Sequence, residues 1–489
     1  MLAMMRKLAL ALLLSTSVEG FAAETKRIGS LEFEKCMAEG ERSVYPAWCA
    51  TLTVPENHDK PEGSTVDLAL TWIPPRGDSA DSMPLVFLAG GPGQGARASF
   101  PSIRSGLSRV GEFAPILLMD QRGTGESQAL DCPFSEEDVG ALDANDRELA
   151  QRLARDCIER HAGRALAHYT TDDAATDLEL VRQVLGLSAL NVAGVSYGTR
   201  LAQRYAALYP DQTRSLVLDS PVPSNLVLLS EHGRNLDAAI SARLSACNEN
   251  PECYAKLGDT RLVLDELLTQ LGQAPIETRY RHPRTGEYRT TSVDQNHLIS
   301  VFRMLSYQPS TAVMLPTLVA NAKRDGFADI LALNHIVVES MQEAISHGLQ
   351  LSVICSESIP FLTEQDRDAE ADTLLGAQLI EFSRSQCEVW PQKPVTDDFH
   401  SLAAHDIPTL VVTGELDPVT PPRYGDVIAA GLQNAQHISV KGEGHSVLNV
   451  GCLPRLVADF VETLAFQETE CIDNRQSLPV FTGVYGWEP

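Results

Sequence analysis

The run Gly194-Val195-Ser196-Tyr197-Gly198 has the form G-x-S-x-G. Small residues on either side of such a serine permit a sharp turn that lifts its hydroxyl clear of a sheet, at the N-terminus of a helix. A serine held in that way is a nucleophile, provided that a base takes its proton and an acid orients the base. Two later segments offer both groups. Asp417 lies in Gly414-Glu415-Leu416-Asp417-Pro418, and His445 lies in Gly442-Glu443-Gly444-His445-Ser446. The order Ser, acid, His is one of the chain orders in which this constellation recurs; Glu415 is the rival acid. Attack on a carbonyl creates an oxyanion that needs backbone N–H donors. Tyr197, the residue after the serine, would supply one. Gly91 would supply the other from Gly90-Gly91-Pro92-Gly93, because Pro92 has no N–H. The remaining eleven histidines lack a strand-end setting and read as solvent-exposed.

These residues need a frame, and the chain supplies one. Val66 to Ile73 alternates as a strand should. The apolar run from Pro84 to Ala89 empties into the Gly90–Gly93 segment, and Pro115 to Asp120 empties into Gln121-Arg122-Gly123-Thr124-Gly125. Asp173 to Leu185 has apolar residues at helical spacing and stops at Gly186, a C-cap. Leu190 to Gly194 reads as a strand, Arg200 to Tyr209 as a helix and Arg214 to Leu218 as a strand. After residue 395 the rhythm resumes with strands at Pro408 to Thr413 and Ile438 to Val440, then a helix from Leu453 to Leu464. Strands alternating with helices predict a mostly parallel, doubly wound sheet, and continuous apolar runs suit strands buried on both faces. Ligand and catalytic sites on such sheets form at the carboxyl ends of the strands, where Ser196, Asp417 and His445 all fall. Asp120 and Arg122 read as braces of a strand-end turn. Residues 225–395 are mostly helical and end near Pro391-Gln392-Lys393-Pro394, a return linker. The expected organisation is a leader at 1–22, a first core part at 23–224, a helical insertion at 225–395 and a second core part at 396–489.

Composition bounds the partners. With 39 basic and 65 acidic residues the formal net charge is −26, which argues against nucleic acid or an anionic membrane surface. Arg6 and Lys7, the apolar stretch Leu8 to Leu14, and small residues at Gly20, Ala22 and Ala23 read as a secretory leader cleaved after Ala22. That stretch is too short to span a bilayer, and no other segment approaches a span. An even ten cysteines in an exported chain predict five disulfides. Pairing of neighbours is the simplest arrangement: Cys36–Cys49, Cys132–Cys157, Cys247–Cys253, Cys355–Cys387 and Cys452–Cys471. No C-x-x-C, H-E-x-x-H or clustered His/Cys tract points to a metal.

Three segments together, Ala89-Gly90-Gly91-Pro92-Gly93, Asp120-Gln121-Arg122-Gly123-Thr124-Gly125-Glu126-Ser127 and Gly194–Gly198, resemble the proline iminopeptidase family of α/β-hydrolases. The secreted tripeptidyl-aminopeptidase branch is more similar still, through Trp48-Cys49-Ala50-Thr51-Leu52-Thr53-Val54-Pro55, Tyr169-Thr170-Thr171 and Gly414-Glu415-Leu416-Asp417-Pro418-Val419-Thr420-Pro421. Ala89 departs from the His usual before Gly-Gly-Pro-Gly in proline iminopeptidases, which bears on specificity. The resemblance implies an α/β-hydrolase fold with a helical cap and a TAP-like C-terminal part. It implies an exported serine peptidase, periplasmic or secreted, that needs no cofactor and acts on peptides with a free N-terminus. A carboxylesterase would use the same catalytic groups; a silent binding protein on this fold is a third reading. An aminopeptidase must also hold the substrate's ammonium. Glu357, in Cys355-Ser356-Glu357-Ser358, is the cap carboxylate expected to do so, on a loop stiffened by a disulfide.

Overall fold

The buried apolar runs do pair side by side. The computed structural model describes residues 24–40, 43–77, 82–132, 146–402, 404–483 and 486. The expected leader therefore lies outside the described residues. Ten strands form one sheet: β1 (Thr25–Ile28), β2 (Leu31–Gly40), β3 (Ser43–Pro55), β4 (Thr65–Ile73), β5 (Leu85–Leu88), β6 (Ile116–Met119), β7 (Leu190–Val195), β8 (Thr213–Asp219) and, later in the chain, β11 (Thr409–Gly414) and β12 (Ala435–Val440). Their order is β1-β2-β3-β4-β6-β5-β7-β8-β11-β12. The first four form an antiparallel meander that joins β6 antiparallel; from β6 to β12 every neighbour is parallel. The doubly wound expectation holds. The meander β1–β3 was not legible, because β2 (Leu-Glu-Phe-Glu-Lys-Cys-Met-Ala-Glu-Gly) is charge-rich and gains its conformation from its neighbour.

Alternation along the strands sends side chains to two cores. Leu85 and Phe87 join the helices Ala96–Ile103 and Leu453–Thr463 on one face, while Val86 and Leu88 join Thr171–Val184 and Tyr197–Leu208 on the other. Between β8 and β11 the chain is mainly helical, with an apolar core of its own around Leu236, Leu264, Phe302 and Leu315. That stretch also carries a hairpin, β9 (Ile276–Arg281) with β10 (Tyr288–Val293), which few strand preferences had announced. Histidines are less exposed than expected: His282 is buried, its Nδ1 accepting from the N–H groups of Arg284 and Thr285. Among the described residues no helix is long and apolar enough to cross a membrane.

All ten cysteines are paired as neighbours: 36–49, 132–157, 247–253, 355–387 and 452–471. Cross-linking stabilises chiefly by restricting the unfolded chain, more so for longer loops. The 355–387 bridge, with a sequence separation of 32, is worth about 3.7 kcal/mol on that basis, against about 2.2 kcal/mol for 247–253, separated by 6. Thiol titration of the denatured, unreduced protein is expected to find no free thiol. Denaturant melts of the paired Cys→Ser variants are expected to rank the losses in that order.

Candidate active site

Ser196 ends the turn that leaves β7 and starts the helix Tyr197–Leu208. Its φ of 55° is a conformation that side chains other than glycine seldom adopt. The turn closes because its neighbours lack side chains. A Cβ on Gly194 would lie 2.5 Å from the Gly198 carbonyl oxygen, and one on Gly198 would overlap the Leu88 carbonyl at the end of β5. A Cβ on Gly90 would lie 3.0 Å from that of Ser196, so the Gly90–Gly93 segment rests directly against the serine. The serine is partly accessible and Gly91 is exposed. Among the described residues the Gly91 N–H donates to no protein acceptor, and the Tyr197 N–H belongs to the unpaired first turn of its helix.

Asp417 and His445 lie side by side. His445 Nδ1 lies 2.8 Å from Asp417 Oδ2. The carboxylate is fully buried and satisfied: Oδ1 accepts the N–H groups of Val419 and Thr420 at 2.9 and 2.8 Å, and Oδ2 accepts the Thr420 hydroxyl at 2.8 Å. Burial alone would push the Asp417 carboxyl up; the His445 charge and these hydrogen bonds outweigh it, so its pKa falls below the ordinary range. For His445 burial pulls downward, yet the nearby carboxylates of Asp417 and Asp219 raise it above 6.5. Glu415, the rival acid, instead accepts the Gly442 N–H at 2.8 Å. Ser196 Oγ makes no hydrogen bond to His445 among the described residues; the two loops are joined through the end of β8, where Asp219 O accepts the Ser196 N–H at 2.9 Å. Catalytic hydrogen bonds often tighten only with substrate in place.

The helical stretch grips the histidine loop. Tyr307 O accepts the His445 N–H at 2.7 Å, and Gln308 Nε2 donates to His445 O at 3.0 Å. The Tyr307 ring stands at 74° to the imidazole with centroids 5.2 Å apart, and Arg243 donates to Gly442 O at 3.0 Å. Sequence reasoning missed Tyr307, Gln308 and Arg243, since nothing local ties them to a histidine more than 130 positions away. Thr420 was open to discovery, three residues past the acid.

Glu357 is neither on a loop nor at a surface. It ends the helix His347–Glu357, where the Cys355–Cys387 bridge does stiffen it, and its side chain is fully buried. Oε1 accepts the Thr171 N–H at 2.6 Å and Oε2 accepts the Thr171 hydroxyl at 2.8 Å; that hydroxyl lies 2.7 Å from Tyr197 OH. Burial raises its pKa to about 7 against the opposing pull of the Thr171 bonds and the Arg200 charge. Asp120 and Arg122 are braces, as expected. Asp120 accepts the Arg97 and Glu126 N–H groups, and buried Arg122 forms a two-pronged pair with Asp177 at 2.7 and 2.6 Å.

The chain is similar to known proteins. A model of the alpha/beta hydrolase fold matches residues 83–246, and one of TAP-like proteins matches 372–471. The serine protease Hip1 of Mycobacterium tuberculosis is 25% identical over 481 residues, covering 90% of each chain. The tripeptidyl aminopeptidase of Streptomyces lividans is 32% identical over 274 residues, which cover 52% of this chain and 50% of that protein. The proline iminopeptidase of Neisseria meningitidis is 32% identical over 160 residues, 31% of this chain and 38% of its own.

A Cβ on Gly444 would overlap the Tyr307 carbonyl oxygen, so Gly444→Ala must displace the histidine loop. The expected result is a folded protein whose Ser196 reacts with a fluorophosphonate at least roughly tenfold more slowly, since small misplacements of a base are costly. Wild-type labelling in a variant of native circular dichroism would show that the reactivity of Ser196 does not depend on this grip.

Proposed function

We propose, for a chain that belongs to the tripeptidyl-aminopeptidase and proline-iminopeptidase family of α/β-hydrolases, that it is an exported serine peptidase removing residues or short peptides from free N-termini. The observation that carries this reading is the buried Asp417–His445 pair, 2.8 Å long, on the sheet end where the Ser196 turn also emerges. In the proposed reaction His445 takes the Ser196 proton as Oγ attacks the scissile carbonyl. Asp417 holds the imidazole with Nδ1–H toward itself and stabilises the imidazolium. The Gly91 and Tyr197 amides receive the oxyanion. His445 then passes its proton to the leaving amine, and water releases the acyl group from Ser196 by the same steps in reverse roles.

Glu357 is our choice for the ammonium. A buried carboxyl lifted to about 7 gains most from a cation brought beside it, and Thr171 leaves a lone pair open on each oxygen. The helical stretch then serves as the cap over the site. Five disulfides suit an oxidising compartment, which supports the leader at 1–22 and a periplasmic or secreted location.

Three measurements test the reading. Ser196→Ala is expected to leave a folded protein whose kcat drops by several orders of magnitude, because the three groups act as a unit; normal turnover would sink the assignment. N-acetylation of a peptide substrate is expected to lower kcat/KM by at least about tenfold, or roughly 1.4 kcal/mol, by removing the ammonium that Glu357 answers. Glu357→Gln is expected to slow free-amine peptides much more than a small neutral ester. Equal cleavage of blocked and free peptides would favour an esterase or endopeptidase instead.

A further inference from the structure

The end of β8 carries a carboxylate that the reaction just described does not use. Asp219 is fully buried, and among the described residues no Arg or Lys pairs with it. Its carboxylate faces the histidine loop. Oδ2 accepts the Ser446 hydroxyl at 2.8 Å and the Leu448 N–H at 3.2 Å, and both oxygens accept the Val447 N–H at 2.9 and 3.0 Å. The next residue repeats the connection, with Ser220 Oγ accepting the Ser446 N–H at 2.8 Å. The main chain of Asp219 faces the other way, toward the nucleophile, and its carbonyl accepts the Ser196 N–H at 2.9 Å. One residue thus touches both the segment that follows His445 and the turn that presents Ser196.

Strain gathers at the same place. Ser196, Ser220 and Ser446 have φ of 55°, 51° and 68°, and each lies within this small knot of hydrogen bonds. Side chains other than glycine persist in such conformations only where the surroundings over-determine them, and clusters of them mark functional sites. The sheet supplies the rigidity: Asp219 lies opposite Val195 on β7 and Val412 on β11, between two parallel neighbours.

We propose that Asp219 is a positioning residue that holds Ser196 and His445 in register across β8 and adds a second negative charge to the field of the imidazole. This rests on the reading of Ser196 and His445 as nucleophile and base. Around the imidazole, Asp417 from the loop after β11 is bonded to Nδ1, Thr420 Oγ1 lies 3.2 Å from the same atom, the Tyr307 ring from the helical stretch stands edge-on, and the Asp219 carboxylate of β8 holds the residues Ser446, Val447 and Leu448 that follow the histidine. On its own loop, Glu443 is paired with Arg475, while Glu415 and Arg243 are spent on the Gly442 backbone. Removing Asp219's charge therefore leaves Asp417 as the remaining carboxylate acting on His445. The neutral imidazole would then persist to lower pH.

The test is the pH dependence of fluorophosphonate labelling and of peptide turnover in the full chain, for wild type, Asp219→Asn and Ser446→Ala. Asp219→Asn is expected to keep native near-UV circular dichroism, to lose about tenfold to a hundredfold in kcat with little change in KM, and to shift the acid limb of labelling to lower pH. Ser446→Ala keeps the carboxylate and removes one bond to it; its kcat is expected to fall less, again at constant KM. A limb that stays in place in Asp219→Asn overturns the proposal, whatever the loss in rate, because a purely structural role would not move it. If Asp219→Asn does not fold, a wild-type kcat in Ser446→Ala overturns it instead. A wild-type protein that fails to label at Ser196 removes the peptidase reading and this inference together, whereas labelled wild type with an unmoved limb removes this inference alone.

Discussion

The turn at Ser196 is the constraint on which the rest of the structure depends. A serine at positive φ, raised above a sheet, requires backbones to approach closely, at two positions more closely than any Cβ allows and at a third tightly. Gly194, Gly198 and Gly90 are the positions where that approach occurs, and each belongs to a different piece of chain: the end of β7, the first turn of the following helix and the loop after β5. The order β5-β7-β8 brings these pieces together only if the sheet is parallel there, so that all the strand ends point to one edge. The same edge then receives the loops after β11 and β12 that carry Asp417 and His445.

The helical stretch is tied to this edge. It reaches the histidine loop through Tyr307, Gln308 and Arg243, and the Gly93 carbonyl through the Ser346 N–H at 2.9 Å. Both the His445 loop and the loop beside Ser196 are therefore braced by chain inserted between β8 and β11. Their geometry depends on how that stretch packs on the sheet.

Asp417, Asp219 and Glu357 are three buried carboxyls whose environments push them apart. Asp417 is held low because its burial is outweighed by His445 and three hydrogen bonds. Asp219 accepts as many bonds, yet burial without a cation of its own prevails and raises it. Glu357, bonded to Thr171, is raised to about 7. The difference follows from pairing: hydrogen bonds offset desolvation in part, and a directly bonded opposite charge completes the compensation.

What the sequence determined by itself is local. A tight turn admits few residue types, so Gly194–Gly198 and Gly90–Gly93 were legible; short apolar runs declared β5, β6, β7, β8 and β11, and Asp417 and His445, which the fold pairs, each stand just after such a run. The disulfides were legible because every bridge joins neighbours along the chain. Only the tertiary structure decided the rest. The charge-rich strand β2, the burial of Glu357 under Thr171, the Tyr307 grip on His445 and the double connection of Asp219 each join residues whose types are unremarkable where they stand. Their conformations come from partners far away in sequence or from backbone hydrogen bonding, to which local periodicity is blind.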